Sequence, residues 1–395
     1  MHYAMITLGA SGHVFSSLPM IAELVKKGNR VTYFTVPRYK EMVEALGADY
    51  KEVRSALTNN GQADKDIAVD MQAELPLRFL SEAAATIESI MEVLRVDKPD
   101  AIITDAIAIA GRLAANELKV PMIMLFTSFA SNDKFSLCRH WPYYPDTHPA
   151  RAKAKALAEE LAAKYNSPVY DLYGIFEGKG DLNIVTQPAS FHPAAETFDD
   201  SFVFAGPQIM KRTDSGSWEA PEGDAPLMYT SLGTLFNAWP EFYHILYSVA
   251  KDMDVRVVSS VGSTLTREDL GEIPANVKTF SFLPQLEVLE NAQYFITHAG
   301  IGSVMEAAYY GVPMLAIPQM DEQAFTAKCM VEAGLGVMIP KEELTAETLK
   351  DALHELTTNP VYTENVRKMS AELQALGGEY AANVAMKFME NRKQF

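Results

Sequence analysis

Two strand-to-helix transitions follow one another in residues 282–336, and this stretch constrains the fold more than any other part of the chain. Residues 293–297 form a short apolar run with aromatic and β-branched side chains, which is typical of a buried strand. The sequence HAGIGS at 298–303 leads from it into a helical pattern. Residues 312–318 are a second buried-strand run, and the polar segment 319–323 begins the helix that follows. The stretch therefore predicts two neighbouring strand tips that carry glycine and polar side chains.

The glycine-rich turn at residues 298–303 indicates a site for an anion. Backbone N–H groups at a helix start attract negative charge. Gly300 and Gly302 have no Cβ, so a phosphate could approach the main chain closely. His298 adds a hydrogen-bond donor at the same place. Phosphate is the ligand that this turn predicts.

Each part of the turn also has a simpler interpretation. Ser303 and Glu306 match a capping box, which would only close the helix end. A lone histidine beside glycine, such as His298, is often structural. The polar side chains at 319–323, at a second strand tip, are suited to a polyhydroxylated ligand rather than to a core. Together the two tips favour a nucleotide-sugar pocket.

These residues resemble the donor-binding signature of the UDP-glycosyltransferase superfamily, especially its soluble bacterial members that glycosylate macrolides and flavonoids. The matching positions are Pro284, Gln285, His298, Gly300, Ser303, Glu306, Gly311, Pro313, Pro318, Glu322 and Gln323. The resemblance implies an α/β fold of GT-B architecture, in which two Rossmann-like doubly wound domains face a cleft. It also implies that the donor is bound by the C-terminal half and the acceptor by the N-terminal half.

The resemblance assigns donor-binding roles to residues of this chain. They are Ser231, Gly233, Thr234, Phe282, Leu283, Gln285, His298, Gly300, Gly302, Ser303, Glu306, Glu322 and Gln323. Gln285 and the residues before it would face uracil and ribose, with Phe282 where many relatives have a stacking tryptophan. Glu306 would bind the ribose hydroxyls. Glu322 and Gln323 would bind the hydroxyls of the sugar.

The diphosphate would be held by His298, by the amides of Gly302 and Ser303, and by the turn at Ser231. Two positions differ from the usual pattern of the family. Glu322 stands where relatives usually have aspartate, and Gly302 stands where they have asparagine. Both positions bear on which sugar is transferred.

Length and composition restrict the class of protein. The 395 residues suit two domains better than one. With 34 basic against 51 acidic residues and a net charge of −17, nucleic acid and an anionic membrane surface are poor partners. Cys138 and Cys329 have no paired spacing, so a reducing compartment fits. The N-terminus has no basic signal region and no apolar run approaches 18 residues, so we expect a cytoplasmic protein that acts on small molecules.

Composition also suggests where the domains divide. Residues 209–224 are polar, contain glycine, proline and serine, and lack periodicity, as in a linker. We therefore predict an N-terminal acceptor-binding domain at 1–208 and a C-terminal donor-binding domain at 225–377. Residues 378–395 resemble the family helix that returns to the first domain.

The start of the chain predicts a parallel, doubly wound sheet. A strand at residues 3–8, a loop, a helix and a second strand at 30–35 follow in order. A dinucleotide-dependent oxidoreductase is disfavoured, because no third glycine follows at the right offset. In addition, no acidic residue ends the second strand.

His13 and Asp105 are the predicted catalytic residues. Each follows a predicted strand at its carboxyl end, where open α/β sheets bind ligands. An imidazole and a carboxylate from neighbouring strand tips can act as a base and its orienting partner. The simpler alternatives are that His13 caps or packs against its helix and that Asp105 caps the next one. In the family, histidine and aspartate at these positions form the catalytic dyad.

Residues 121–126 form another predicted strand, and the loop after it could line the acceptor site. Acceptor sites of this kind are mostly apolar with a few polar contacts. We place Phe126, Ser128 and Phe129 in this site, although a core has the same composition.

No metal or cofactor is expected apart from the UDP-sugar co-substrate. Two Asp-x-Asp matches occur, at residues 64–66 in a polar loop and at 252–254 where a helix gives way to a strand. The second lies at the edge of the sheet away from ligands, so we interpret both as coincidence. Helix N-termini and His298 can stabilise a diphosphate without a metal.

The predicted function is inverting transfer of a sugar, with glucose expected, from a UDP-sugar to a hydroxyl of a small hydrophobic acceptor. His13 would be the general base. The sequence leaves two alternatives open: a non-catalytic nucleotide-sugar binding protein, and a nucleotide-sugar epimerase.

Overall fold

The structure, a computed structural model, describes residues 1–55, 57, 68–140, 148–170, 173–211, 218–233 and 237–392, apart from the side chains of residues 68–73 and 139–140. The chain divides into two compact units. Unit 1 comprises Met1–Met210 with Leu376–Phe395, and unit 2 comprises Lys211–Ala375. Each unit contains its own parallel sheet.

The sheet of unit 1 has seven strands in the order β3-β2-β1-β4-β5-β6-β7. They are β1 (His2–Ile6), β2 (Arg30–Thr35), β3 (Asp49–Glu52), β4 (Ala101–Asp105), β5 (Met122–Phe126), β6 (Leu182–Val185) and β7 (Phe202–Phe204). All neighbouring pairs are parallel. In the register of the two central pairs, Ile6 lies opposite Thr104 and Asp105 lies opposite Leu125. The carboxyl ends of β1, β4 and β5 are therefore side by side.

Helices cover both faces of this sheet. They are α1 (Ser11–Phe15), α2 (Leu18–Lys26), α3 (Lys40–Ala45), α4 (Ala68–Val96), α5 (Ile109–Leu118), α6 (Pro149–Lys164) and α7 (Gly174–Glu177). Because side chains alternate along a strand, Tyr3 and Met5 of β1 pack in the layer with α2, whereas Ala4 and Ile6 pack in the layer with α4 and α5. The sheet is buried on both faces, which is why its strands are nearly continuous apolar runs.

Helix α5 lies unusually close to β4. A Cβ added at Gly111 would be 2.1 Å from Thr104 Oγ1, so only glycine permits this approach. The Thr104 hydroxyl also bonds the carbonyl of Ala108, 3.1 Å away. These contacts fix the turn that connects β4 to α5.

Unit 2 contains a six-stranded parallel sheet in the order β10-β9-β8-β11-β12-β13. The strands are β8 (Leu227–Ser231), β9 (Arg256–Ser260), β10 (Val277–Phe280), β11 (Tyr294–Thr297), β12 (Met314–Ala316) and β13 (Gly336–Met338). The helices are α8 (Pro240–Ala250), α9 (Gln285–Leu289), α10 (Ile301–Tyr309), α11 (Asp321–Glu332), α12 (Ala346–Thr358) and α13 (Pro360–Leu373). Ser231 lies opposite Thr297, and Thr297 lies opposite Ala316. The ends of β8, β11 and β12 are thus adjacent.

The last helix, α14 (Gly378–Arg392), belongs to unit 1. Its alanines Ala381, Ala382 and Ala385 are buried in the core layer that contains α2. A Cβ at Gly378 would lie 2.6 Å from the backbone of Pro19, so α14 begins in close contact with α2. Small residues therefore allow the C-terminal helix to pack against the N-terminal sheet layer.

The prediction of two doubly wound parallel sheets is confirmed. Helix α4 contains Pro76. The first Asp-x-Asp match, at residues 64–66 in the predicted polar loop, lies outside the described residues. The second match, at 252–254, falls between α8 and β9, at the amino edge of the sheet.

Candidate active site

His13 lies at the carboxyl edge of the unit 1 sheet. β1 ends at Ile6, and α1 begins at Ser11 after a short loop. The N-cap of α1 is Ala10, so His13 does not cap this helix. Its side chain is 23% exposed, which leaves part of the ring at the surface of unit 1.

Asp105 ends β4, the strand next to β1 in the sheet. Its side chain is 1% exposed, and its Oδ2 lies 2.6 Å from His13 Nδ1. Its Oδ1 accepts a 2.9 Å hydrogen bond from the backbone N–H of Ile107. The N-cap of α5 is Ala108, so the alternative that Asp105 caps this helix is wrong. The two predicted residues meet because their strands are neighbours.

Thr127 is a third member of this cluster, and the sequence reasoning missed it. It directly follows β5, and its Oγ1 lies 3.1 Å from His13 Nδ1. The same hydroxyl lies 3.4 Å from Asp105 Oδ2. Its place after the strand beside β4 is a signal that could have identified it.

The contact with Asp105 fixes the tautomer of His13. A carboxylate only accepts hydrogen bonds, so Nδ1 of a neutral ring carries the proton. The lone pair is then on Nε2, which can take a proton from a hydroxyl group. The carboxylate stabilises the imidazolium that results. The cluster is thus chemically suited to general-base catalysis.

Two of the three residues predicted for the acceptor site are core residues. Phe126 and Phe129 are 2% and 4% exposed. Phe126 packs on Phe202 with ring centroids 6.0 Å apart, and Phe129 stacks on Phe191 at 6.3 Å. We therefore do not assign these two side chains to the acceptor site. Ser128, which lies between them in the sequence, is partly exposed.

His192 lies in the same aromatic core and has a structural role. Its Nε2 accepts a 2.9 Å hydrogen bond from Ala130 N, and its Nδ1 lies 2.8 Å from the carbonyl of Pro193. Phe198 and Phe204 contact its ring edge to face. Burial lowers the pKa of His192 from 6.5 to about 4, so the ring is neutral at pH 7.

The neutral state of His192 predicts a loss of stability in acid. Because its pKa is about 4 in the folded chain, the unfolded chain binds the extra proton between pH 6.5 and about 4. The contribution of His192 to the free energy of unfolding is fully present above pH 6.5. It decreases by on the order of 3 kcal/mol as the pH falls to about 4. His192→Gln cannot be protonated, so we expect the gap in melting temperature between wild type and variant to narrow over this range.

Thermal unfolding from pH 4 to 7 measures this gap, and exposed His354→Gln is the matched control. If the melting temperatures of wild type and His192→Gln changed with pH in parallel, the assignment of a depressed pKa to His192 would be contradicted.

In unit 2, α10 begins at the tip of β11. Its N-cap is Gly300, and among the residues that the structure describes no side chain caps the first turn. Ala299, directly before, has a φ of 61°, a conformation that is strained for a residue with a Cβ. The amides of Gly302 and Ser303 lie in this first turn, where backbone N–H groups have no partner within the helix. A Cβ at Gly302 would meet nothing within 4 Å, so this turn faces open space.

The imidazole of His298 is held between two glycines. A Cβ at Gly233 would be 2.7 Å from its Nε2, and a Cβ at Gly300 would be 2.6 Å from the same atom. Gly233 also has a φ of 81°. The Nδ1 atom is buried and makes no hydrogen bond of ordinary geometry within the described part of the chain. Burial lowers the pKa of His298 to about 4, although the backbone of Ser231 opposes part of this shift. The ring is therefore neutral at pH 7.

Ser303 and Glu306 do not form the capping box that their spacing allows. The side chain of Gln285 donates from Nε2 to Ser303 Oγ at 3.2 Å and to Glu306 Oε2 at 2.5 Å. Tyr229 donates to Gln285 Oε1 at 3.4 Å. These contacts join α9 and α10 into one polar surface, and the predicted donor residues Gln285, Ser303 and Glu306 lie on it together.

The segment before Gln285 presents one aromatic ring. Phe282 is 66% exposed, an unusual exposure for phenylalanine. Leu283 is buried, so its side chain serves the core and only its main chain could contact a ligand. Phe282 is therefore free to stack on a planar group.

The other predicted donor residues lie at the ends of β8 and β12. Ser231 is buried, and its Oγ accepts a 3.3 Å hydrogen bond from Gly233 N. Glu322 and Gln323 lie in the first turn of α11 and are partly exposed. Gln323 Oε1 accepts from Gln319 N at 2.9 Å, which leaves the amide N–H groups of Gln323 as the donors for a ligand. Thr234 lies outside the described residues.

The described residues also bear on membrane and metal binding. Within the described residues, every helix is too short or too polar to cross a lipid bilayer. Those residues also contain no group of three or more histidine, cysteine or carboxylate side chains placed to hold a metal ion. Independence from metal stays a prediction.

Together, two doubly wound parallel sheets, a histidine held by a buried aspartate and an uncapped glycine-lined helix start define the GT-B class of glycosyltransferase. Comparisons with known proteins agree. The model of the erythromycin biosynthesis protein CIII-like C-terminal domain matches residues 244–388. The NDP-glycosyltransferase YjiC of Bacillus subtilis is 38% identical over 390 residues, which cover 98% of this chain and 97% of the relative.

A second relative from Bacillus subtilis, the uncharacterized UDP-glucosyltransferase YojK, is 31% identical over 96% of this chain and 95% of its own. The crystal structure of the calicheamicin glycosyltransferase CalG4 superposes with a TM-score of 0.84 at 30% identity, covering 98% of both chains. The chain therefore belongs to the NDP-glycosyltransferase family and is an enzyme.

Proposed function

We propose that this enzyme transfers a hexose, glucose in the first instance, from a UDP-sugar to a hydroxyl group of a small hydrophobic acceptor. Flavonoids, other phenols and macrolides are the acceptor classes. The observation that carries the proposal is the 2.6 Å contact between His13 and buried Asp105, with Thr127 beside both. The name UDP-glucosyltransferase, borne by YojK, supports the choice of donor.

In the proposed reaction His13 is the general base. Nε2 takes the proton of the acceptor hydroxyl as its oxygen forms a bond to the anomeric carbon. The bond from that carbon to the diphosphate breaks at the same time, and UDP leaves with the electron pair. A single displacement on an α-linked donor gives a β-glycoside.

Unit 2 supplies the proposed donor site. Phe282 stacks on the uracil ring, and Glu306, beside Gln285, accepts hydrogen bonds from the ribose hydroxyls. Glu322 and Gln323 offer an acceptor and a donor to the sugar hydroxyls. The side chain of Glu322 is longer than that of the aspartate that relatives usually have here. In this proposal Glu322 therefore determines which sugar is bound.

The diphosphate is held by backbone and neutral groups in this proposal. The amides at Gly302 and Ser303 lie at a helix N-terminus, where the helix dipole favours negative charge. His298 adds an uncharged imidazole N–H, because its pKa is about 4. Ser231 adds a hydroxyl at the neighbouring strand tip.

These donors predict that the reaction needs no metal ion. Preorganised N–H groups aimed at the leaving diphosphate can stabilise its charge. We expect the full rate in excess chelator, measured as product formed per unit time. A strict magnesium requirement, restored by added salt, would contradict this.

Beside the loops that carry His13 and Asp105 lies a cavity of about 20 Å³, lined mainly by apolar side chains, including Leu8, Phe79 and Ile109, with Glu82 and Thr86 as polar members. A cavity of this size holds a water molecule and not an aglycone, so we do not assign the acceptor to it. Ser128 remains the proposed acceptor contact.

A mass-spectrometric assay tests the proposal. The wild-type enzyme is incubated with UDP-glucose, UDP-galactose or dTDP-glucose and a panel of phenols and macrolides. We expect a product heavier by one hexose, formed fastest from UDP-glucose. Binding of UDP without any product from the panel would contradict the proposed acceptor classes, and faster transfer from dTDP-glucose would contradict the donor.

A further inference from the structure

Arg112 is an arginine that is completely buried in unit 1. It lies on α5, and its guanidinium donates from Nη1 to Gly174 O and from Nη2 to Ile175 O, both at 2.8 Å. Nη2 also bonds the carbonyl of Ala106. Its Nε makes no hydrogen bond with any residue that the structure describes. Among the residues that the structure describes, no carboxylate forms an ion pair with it.

A buried guanidinium without an ion pair is costly, so its position calls for an explanation. Three carbonyls satisfy most of its N–H groups, and the ring of Tyr170 lies 5.1 Å from its Cζ. None of these neighbours carries a full negative charge. Burial lowers the pKa of Arg112 to about 10, and Tyr170 and Asp105 oppose this shift, so the side chain is charged at pH 7.

The contact with Ala106 connects Arg112 to the catalytic pair. Ala106 directly follows Asp105, so the guanidinium holds the peptide next to the carboxylate that contacts His13. Both charges are buried, and their attraction is stronger there than in water.

We propose that Arg112 is a positioning residue that anchors the turn carrying Asp105 and favours the negative charge on its carboxylate. The inference rests on the proposed role of His13 as the base. The other titratable groups that act on the two charges are His13 and Tyr33 for Asp105 and Tyr170 for Arg112. Removing the positive charge makes protonation of the His13–Asp105 pair easier. The acid limb of the rate profile then moves to higher pH.

Three variants test the proposal. Arg112→Met removes both the charge and the anchor, and Arg112→Lys keeps the charge but loses the planar fork. Gly178→Ala keeps the arginine at position 112, but the added Cβ would lie 2.3 Å from Nη1 and so displaces the guanidinium. Gly178 has ordinary extended backbone angles, which alanine tolerates. Arg95→Met on the surface of α4 is the matched control.

For Arg112→Met we expect kcat to fall by about 10- to 100-fold, because the pair is misplaced, with unchanged KM values. The acid limb of kcat should move up by about one pH unit. Gly178→Ala should show the same changes in weaker form. In Arg112→Lys, kcat should fall, whereas the acid limb should stay at the wild-type pH. Arg95→Met should match wild type in both measurements.

An acid limb at the wild-type pH in both Arg112→Met and Gly178→Ala would overturn the proposal and leave Arg112 with a role in folding only. Proton NMR titration of the His13 ring gives a readout that does not depend on activity. Its midpoint should rise in Arg112→Met, and an unchanged midpoint overturns the proposal even where a variant is too unstable for kinetics. If His13→Ala proves fully active, the proposed function fails instead, and the ring titration still decides on Arg112.

Discussion

The His13→Ala variant is expected to transfer sugar about 10²- to 10⁴-fold more slowly than wild type, the usual contribution of a positioned general base. The reason is that Asp105 holds the Nδ1 proton and so places the accepting lone pair on Nε2. Without the imidazole, no group in this cluster can take the acceptor proton, because Asp105 is only 1% exposed. The measurement is kcat with saturating donor and acceptor.

The same experiment separates catalysis from donor binding. UDP affinity, measured by calorimetry, should stay at the wild-type value because His13 lies in unit 1 and the proposed donor residues lie in unit 2. His354→Ala, at an exposed position, controls for the substitution itself. A parallel loss of UDP binding and activity would show that His13 has been given the wrong role.

Replacing His298 with alanine should have the second largest effect, a loss of about 10- to 100-fold in UDP affinity. One hydrogen bond to a charged group contributes about 1.5 to 3 kcal/mol, and each 1.4 kcal/mol is about tenfold. Because burial holds the pKa of His298 at about 4, its contribution comes from an N–H dipole and not from charge. The loss should therefore be the same at pH 6 and pH 8.

Calorimetric titration with UDP and UMP at both pH values measures this contribution. The variant should discriminate less between the two ligands, since the ring is expected to face the diphosphate. Exposed His244→Ala is the control in the same unit. Wild-type affinity in His298→Ala, or a loss confined to low pH, would contradict a neutral phosphate-binding ring.

The pairing of His13 with Asp105 could be predicted because it depends on topology alone. Parallel strands in a doubly wound sheet end at one edge, so residues that follow neighbouring strands meet there. Thr127 obeys the same rule, but hydroxyl residues after strands are common, and only the distance of 3.1 Å to His13 marks it out.

Local spacing does not predict helix capping correctly where a residue distant in the sequence forms hydrogen bonds with the same side chains. Ser303 and Glu306 have the spacing of a capping box, yet Gln285 on another helix bonds both. Gly300 takes the cap position instead, and the first turn has no side-chain cap from the described residues. An absent cap is what an anion site needs, and no local pattern distinguishes it from a capped helix.

Burial was the other property that the sequence could not supply. Phe126 and Phe129 follow a strand in the place where a ligand would bind, but the first is the last residue of β5 and the second stacks in an aromatic core. Arg112 shows the opposite difference, because a single arginine in a short alanine-rich helix is usually exposed and this one is buried. Whether such side chains face solvent or the core depends on packing between distant elements.

The anomeric configuration of the product tests the central claim most directly. Wild-type enzyme is given UDP-glucose, whose linkage is α, and a phenolic acceptor, and the glucoside is examined by proton NMR. One displacement with His13 as base predicts the β-glycoside alone. An α-glycoside would mean that transfer retains configuration and does not proceed by direct attack of a hydroxyl activated by His13.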